Sequence, residues 1–393
     1  MLYKAPNPIS LLPMKGLLYY GTNDIRYSET VPEPEIKNPN DVKIKVSYCG
    51  ICGTDLKEFT YSGGPVFFPK HGTKDKISGY ELPLCPGHEF SGTVIEVGSG
   101  VTSVKPGDRV AVEATSHCSD RSRYKDTVAQ DLGLCMACKS GSPNCCVSLS
   151  FCGLGGASGG FAEYVVYGED HMVKLPDSIP DDIGALVEPI AVAWHAVERA
   201  RFQPGQTALV LGGGPIGLAT ILALQGHRAG KIVCSEPALI RRQFAKELGA
   251  EVFDPSTCDD ANAVLKAMVP ENEGFHAAFD CSGIPQTFTT SIVATSPSGI
   301  AVNVAIWGDH PIGFMPMSLT YQEKYATGSM CYTVKDFQEV VGALEDGLIS
   351  LDKARKMITG KVHLRDGVEK GFRQLIEHKE TNVKILVTPN EVS

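Results

Sequence analysis

Cys52, His88, Glu89 and Glu188 carry the donor atoms of a borderline-soft divalent cation. Cys52 stands in Cys49-Gly50-Ile51-Cys52-Gly53-Thr54-Asp55, His88 and Glu89 in Gly87-His88-Glu89, and Glu188 in Leu186-Val187-Glu188-Pro189. One thiolate, one imidazole and one or two carboxylates suit zinc. Fewer than four fixed protein ligands leaves a position for water or substrate, which separates a catalytic zinc from a structural one. Cys49 and Cys85 are rivals to Cys52, which is favoured because it adjoins the Gly-Thr-Asp turn. A zinc held there would act as a Lewis acid on an alcohol or carbonyl oxygen. Asp55 is a candidate partner that fixes the tautomer of His88, and Thr54 is a candidate for taking the alcohol proton outward.

A second chemistry follows in Gly212-Gly213-Gly214-Pro215-Ile216-Gly217, which fits G-x-G-x-x-G. Gly212 allows a tight turn, Gly214 lets a pyrophosphate approach the backbone, and Gly217 lets helix and strand pack closely. The helix that opens at Pro215 and Ile216 offers free N–H groups and its positive end to phosphate. Glu236 closes the next strand, where a carboxylate accepts both ribose hydroxyls and repels a 2′-phosphate, so NAD(H) is expected over NADP(H). Arg241 and Arg242 oppose that reading, since a nearby arginine holds a 2′-phosphate. Metal plus dinucleotide implies hydride transfer from an alcohol.

The elements that position these residues are legible in the hydrophobic pattern. The 393 residues exceed one ordinary core, so two domains are expected. Met14–Tyr20 reads as a first strand after a flexible extension. Val42-Lys43-Ile44-Lys45-Val46 alternates as a half-buried strand does, Ser91–Gly98 and Arg109–Val112 read as two more, and Pro106-Gly107-Asp108 as the turn between them. Together they suggest a partly closed β-barrel whose loops after strands carry Cys52 and His88. From about residue 190 the texture changes. A helix over Ala191–Arg201 precedes strands at Thr207–Leu211, Lys231–Ser235, Ala277–Phe279 and Ile300–Ile306, with helices between them. Such βαβ alternation implies a parallel sheet covered on both faces, an α/β fold. The tail from about Gly328, with helices at Phe337–Leu344 and Val368–Ile376 and a strand at Val383–Val387, is expected to rejoin the first domain.

Composition narrows the class. Hydrophobic content of 43% with 21% charged residues is that of a soluble globular protein, and a net charge of −9 disfavours nucleic acid or an anionic membrane as partner. No apolar run is long enough to span a bilayer. Met1–Pro13 lacks the features of a secretory or transit segment. With that N-terminus, thirteen clustered cysteines point to a reducing compartment and metal ligation, hence the cytosol.

Gly50-Ile51-Cys52-Gly53-Thr54-Asp55, Gly87-His88-Glu89, Glu188-Pro189 and the Gly212 turn resemble, in order and spacing, the zinc-containing medium-chain alcohol and polyol dehydrogenases. The resemblance runs from Met14 over nearly the whole chain. It implies a GroES-like catalytic domain (14–190 with 328–393), a Rossmann domain (191–327) and a cleft between them. It also implies Cys52, His88 and a glutamate on the metal, Thr54 in the proton relay, and a homodimer or homotetramer. Glu188-Pro189-Ile190-Ala191-Val192-Ala193-Trp194-His195-Ala196, Phe279-Asp280-Cys281-Ser282-Gly283 and Asn382–Asn390 are most similar to the fungal butanediol dehydrogenases within that family. That branch implies oxidation of a secondary alcohol beside a second oxygen, with acetoin-type ketones in reverse. Sorbitol-type polyol and threonine dehydrogenases share the metal pattern and are the alternatives. A nucleotide-binding structural or regulatory protein would lack part of the metal set.

One departure is Lys57, where the family often carries a relay histidine; an ammonium is the poorer relay at neutral pH. A second lies in the family's structural zinc lobe, C-x2-C-x2-C-x7-C. Cys135, Cys138 and Cys146 match its last three positions, and Leu132 falls on the first. Counting forward from Val112-Glu113 places the first ligand at Cys118, with Ser119–Leu134 inserted. Cys118, Cys135, Cys138 and Cys146 then form a closed site, with His117 and Cys145 as substitute ligands. Phe59, Phe161 and Trp307 are candidates for the pocket lining.

Overall fold

The computed structural model describes residues 12–63, 66–124, 133–270, 273–308 and 311–392. The expected N-terminal extension lies mostly outside them, as do residues 125–132 of the insertion. Strand β1 (Pro13–Gly21) turns back through Asn23 into β2 (Asp24–Pro32), and Leu17 and Tyr19 point into the core. The sequence reading missed β2, whose mostly exposed or half-buried residues give little alternation. Next come β3 (Asp41–Gly50), β4 (Glu89–Val97), β5 (Arg109–Val112), the short pair β6 (Thr115–Ser116) and β7 (Ser150–Phe151), then β8 (Tyr164–Gly168) and β9 (Met172–Lys174). The parallel sheet follows as β10 (Thr207–Leu211), β11 (Lys231–Ser235), β12 (Glu251–Phe253), β13 (Phe275–Asp280), β14 (Thr295–Asn303) and β15 (Tyr325–Gly328). The tail adds β16 (Ile358–His363) and β17 (Lys384–Thr388).

Two large sheets organise most of these strands, with β1-β2 and β6-β7 as separate pairs. One runs β16-β17-β3-β4-β5-β9, with β8 also on β3, so the chain's last strand lies beside its third. Strand β3 is long enough to take β8 along Asp41–Lys45 and β17 at Cys49–Gly50. The other runs β12-β11-β10-β13-β14-β15, every pair parallel. Its order reverses between β10 and β13, the switch point where a doubly wound sheet opens a ligand crevice.

Among the boundaries that differ from the sequence reading, two have a plain physical cause. The helix expected from Ala191 begins at Val187 and runs to Arg199, which puts Glu188 in its first turn and the residue-190 boundary inside it. Pro189 is no barrier there, because first-turn N–H groups need no helical partner. The strand expected to reach Ile306 stops at Asn303, since the N–H groups of Val304 and Ala305 both turn to the Asp280 carbonyl, 3.0 Å away.

A buried ion network ties the β-rich sheet to the Cys118 loop. His171 Nδ1 meets Glu113 at 2.5 Å, and its Nε2 meets Asp120 at 3.1 Å. His117, Asp120 and His171 stand close enough to hold a metal, but both nitrogens of His171 already face carboxylates, so they form an ion-pair network. Burial works against the His171 proton; the bonds to Asp120 and Glu113 overcome it and raise the group to about 9. The stabilisation is therefore fully present below pH ~6.5 and lost as pH rises through about 9; its size is on the order of 3 kcal/mol. His171→Asn should lower Tm near neutrality, with the gap to wild type narrowing above pH 9. A gap constant across that window would contradict the assignment.

Candidate active site

The β3–β4 register builds the site. Gly50, the last residue of β3, pairs with Glu89, the first of β4, so Cys52 and His88 emerge side by side although 36 positions separate them. His88 thus precedes its strand; the expectation that it follows one is corrected. Gly87 has φ of +98°, and a Cβ there would lie 2.7 Å from the Cys49 sulfur, so no other residue fits this approach. Cys52 caps the helix Gly53–Thr60. Donor atoms of Cys52, His88 and Glu89 lie within 4.8 Å of one another.

Asp55 connects the two ligand loops. Its Oδ2 accepts the Cys52 N–H at 2.9 Å, and its Oδ1 lies 3.6 Å from His88 Nδ1. Both Oδ1 and Nδ1 are buried and short of a full hydrogen bond. Burial opposes the His88 proton, but Asp55 and Cys52 hold the imidazole well above its ordinary value. Burial also pushes the Cys52 thiol up, as does the charge of Glu89. A soft cation replacing the protons of both groups would relieve these conflicts, and the donor set fits zinc. Thr54 lies half-buried in the first turn of the same helix, and Lys57 half-buried one turn on.

Glu188, buried in the first turn of the helix Val187–Arg199, stands outside the 4.8 Å group. Burial raises its carboxyl to about 7, with the charge of Glu89 adding to the effect. Tyr332, fully buried, is its electrostatic neighbour. Cys49 and Cys85 are buried among apolar residues and take no part.

The second cysteine set also converges. Sγ of Cys146 lies 3.3 Å from that of Cys118 and 3.9 Å from that of Cys135, and all four sulfurs fall within 4.8 Å. None of the thirteen cysteines is in a disulfide. Four thiolates at Zn–S bonds of ~2.3 Å would stand roughly 3.8 Å apart, so the cage suits a tetrahedral ion. Backbone N–H groups of Cys138 and Val147 lower the Cys135 thiol to about 6, favouring the thiolate that binds metal. Cys145 is exposed and outside the cage, and His117 belongs to the His171 network.

At the nucleotide turn Gly212 takes φ of +107°, and a Cβ on Gly217 would sit 1.9 Å from the Gly212 carbonyl. Gly214 faces open space and caps the helix Pro215–Gly226, whose first N–H groups, from Ile216 onward, point into it. Glu236 is buried; its Oε2 accepts the Gly213 N–H at 2.7 Å and its Oε1 the Ala238 N–H at 2.8 Å. Arg242 binds Asp254 at 2.8 Å and the carbonyls of Glu236 and Pro237, while Arg241 donates to the Lys379 carbonyl.

Two of the three pocket-lining candidates take the core role instead. Phe59 and Phe161 are core, each packed edge-on against Phe372 from the tail. Trp307 is half-buried beside Phe288, its indole N–H held by Asn303.

Residues 38–177 match the family described as the alcohol dehydrogenase GroES-like domain, and residues 215–346 the family described as zinc-binding dehydrogenase. The chain is 48% identical over 378 residues to (R,R)-butanediol dehydrogenase of Saccharomyces cerevisiae, spanning 96% of this chain and 98% of that protein. The chain belongs to the zinc-containing medium-chain alcohol dehydrogenases. Crystals of 2R,3R-butanediol dehydrogenase from Bacillus subtilis show the same fold at a TM-score of 0.84 and 37% identity, over 96% of this chain and 100% of that one. An Escherichia coli alcohol dehydrogenase solved with NADH matches at 0.77 and 26%, over 95% and 99%. The β-rich sheet is thus the GroES-like part of this dehydrogenase and the parallel sheet its Rossmann part.

Sequence reasoning missed Lys384. From the start of β17 this buried side chain places Nζ 2.7 and 2.6 Å from the two oxygens of Glu89 and 3.1 Å from the Ile51 carbonyl. A lysine in an apolar strand was the only signal. Both Glu89 oxygens are therefore committed to an ammonium. Removing one partner of such a pair strands the other charge, at a cost of about 3–5 kcal/mol. Lys384→Met should lower the unfolding midpoint accordingly, and adding Glu89→Gln should restore most of the loss. A midpoint unmoved by Lys384→Met would show that the pair contributes nothing.

Proposed function

We propose that this enzyme interconverts (R,R)-2,3-butanediol and acetoin with NAD(H), on a zinc held by Cys52, His88 and Glu188. The observation that carries this reading is the cluster of Cys52, His88 and Glu89 in a chain so similar, end to end, to butanediol dehydrogenases. Lys384 takes a lone pair on each oxygen of Glu89, which weakens Glu89 as a ligand and supports Glu188 as the carboxylate that completes the set. When bound, zinc supplies Lewis-acid polarisation of the reacting oxygen, and NAD supplies the hydride acceptor. Asp55 orients the His88 ring through Nδ1. The Thr54 hydroxyl takes the proton of the alcohol and passes it outward, with Lys57 one turn further along the same helix. Ile216 and Gly217 offer their N–H groups to the pyrophosphate. Glu236, with lone pairs remaining beyond its two backbone bonds, accepts the ribose hydroxyls. The engagement of Arg241 and Arg242 elsewhere supports NAD(H). Butanediol should give the highest kcat/KM against sorbitol and threonine, with NAD above NADP and activity lost to a chelator. Preference for sorbitol or threonine would move the enzyme to the polyol or amino-alcohol class, and preference for NADP would remove the Glu236 role.

Further parts of the reading concern architecture. Residues 14–190 with 328–393 form the catalytic domain and 191–327 the nucleotide domain, with the helix Val187–Arg199 spanning their junction; the return of β16 and β17 to β3 supports this division. Cys118, Cys135, Cys138 and Cys146 hold a second, structural zinc. The enzyme is a homodimer or homotetramer, for which the exposed β15 at the edge of the parallel sheet offers a surface. Thirteen unpaired cysteines support a cytosolic setting. Metal analysis should find two zinc atoms per chain, falling to one in Cys118→Ser, and sedimentation a mass above that of one chain. One zinc in the wild type would end the four-thiolate proposal, and a monomer the oligomer.

A further inference from the structure

Asn144 lies between the third and fourth cysteines of the sulfur cage, in the short turn Pro143–Cys145. It is buried, and its amide nitrogen makes two bonds away from the lobe. One donates to the Met330 carbonyl at 2.8 Å; the other reaches Nε2 of His195 at 3.2 Å. An amide nitrogen only donates, so Nε2 accepts and the His195 proton sits on Nδ1, which meets Asp336 at 3.1 Å.

Both partners lead to Glu188. His195 follows it by seven residues on the same helix, two turns along and on the same face. Met330 begins a tight segment in which Cys331 takes φ of +47°. A non-glycine residue stays in the left-handed region only where its surroundings over-determine it. Next comes Tyr332, buried, with Glu188 as its foremost charged neighbour. Thr333 closes the segment, its N–H and hydroxyl each 2.7 Å from Asp336. Asn144 holds one side of this turn and Asp336 the other, and Tyr332 at its tip is an electrostatic neighbour of the glutamate.

We propose that Asn144 is a positioning residue for Glu188, so that the four-cysteine lobe braces the catalytic cleft as well as ordering its own loop. This rests on the reading of Glu188 as part of the catalytic site. The lobe is the fixed end, and the Asn144 amide carries that fixity 186 positions along the chain to the Met330 turn and 51 positions to the glutamate's helix.

The test uses Asn144→Ala, Asn144→Asp and Glu188→Gln in the zinc-loaded enzyme. Asp keeps the shape of Asn and loses the donor. In both Asn144 variants zinc content and NADH affinity should match wild type, and amide exchange over residues 329–333 should quicken by about tenfold or more. Their kcat should fall by roughly tenfold, and the fall should largely vanish in the Glu188→Gln background, because residues acting through one another are not additive. If Glu188→Gln alone leaves kcat intact, the reading of Glu188 fails and the brace has nothing to position. With Glu188→Gln impaired, the proposal is overturned by wild-type exchange and kcat in the Asn144 variants, or by an undiminished fall in the Glu188→Gln background. Loss of one zinc in both variants would make Asn144 a residue of its own loop and overturn it too. Should Asn144→Ala fail to fold, Asn144→Asp decides by the same measurements.

Discussion

The antiparallel register that sets Gly50 opposite Glu89 is the constraint from which the active site follows. It turns two loops, far apart in sequence, into neighbours. A slip of one residue would send every side chain of β4 to the opposite face and carry His88 away from Cys52. Gly87 and Gly50 both serve that closeness. A Cβ on Gly50 would sit 2.2 Å from a Glu89 oxygen, so the strand end must be bare for the carboxylate to lie across it. The metal chemistry is thus a consequence of backbone pairing, with the ligand types added at its open end.

Charge imposes the second condition. Glu89, Asp55 and Glu188 are three buried carboxylates around one small volume. Each has a different answer to that burial. Glu89 takes the ammonium of Lys384, Asp55 takes a backbone N–H and lies beside the His88 ring, and burial pushes Glu188 up to about 7. The cation for Glu89 comes from the last strand of the chain, so the tail is part of the site's electrostatics as well as of its sheet. This difference in environment is what supports the proposal that Glu188 rather than Glu89 meets the metal.

Motif-bearing residues were the most legible. Cys52, His88 and the Gly212 turn announced themselves because their chemistry needs particular atoms at particular spacings, and the parallel strands because buried strands read as apolar runs. Cys118 was legible only by counting past the insertion, since its partners lie beyond it. Lys384 was opaque: nothing in Val383-Lys384-Ile385 says which face the lysine takes or that a glutamate waits there. Phe59 and Phe161 could be named only as candidates, with core the more frequent role, because the ring that packs on them, Phe372, comes from the tail. Long-range packing of this kind leaves no local trace. The start of the Glu188 helix was missed for a smaller reason, a proline in a place where proline is harmless.

In the proposed division of the chain the helix Val187–Arg199 spans the junction, with Glu188 in its first turn. Its thirteen residues of continuous backbone tie the position of that carboxylate to the core of the parallel sheet, on which the helix packs. A change that tilts the helix would therefore shift Glu188 relative to Cys52 and His88.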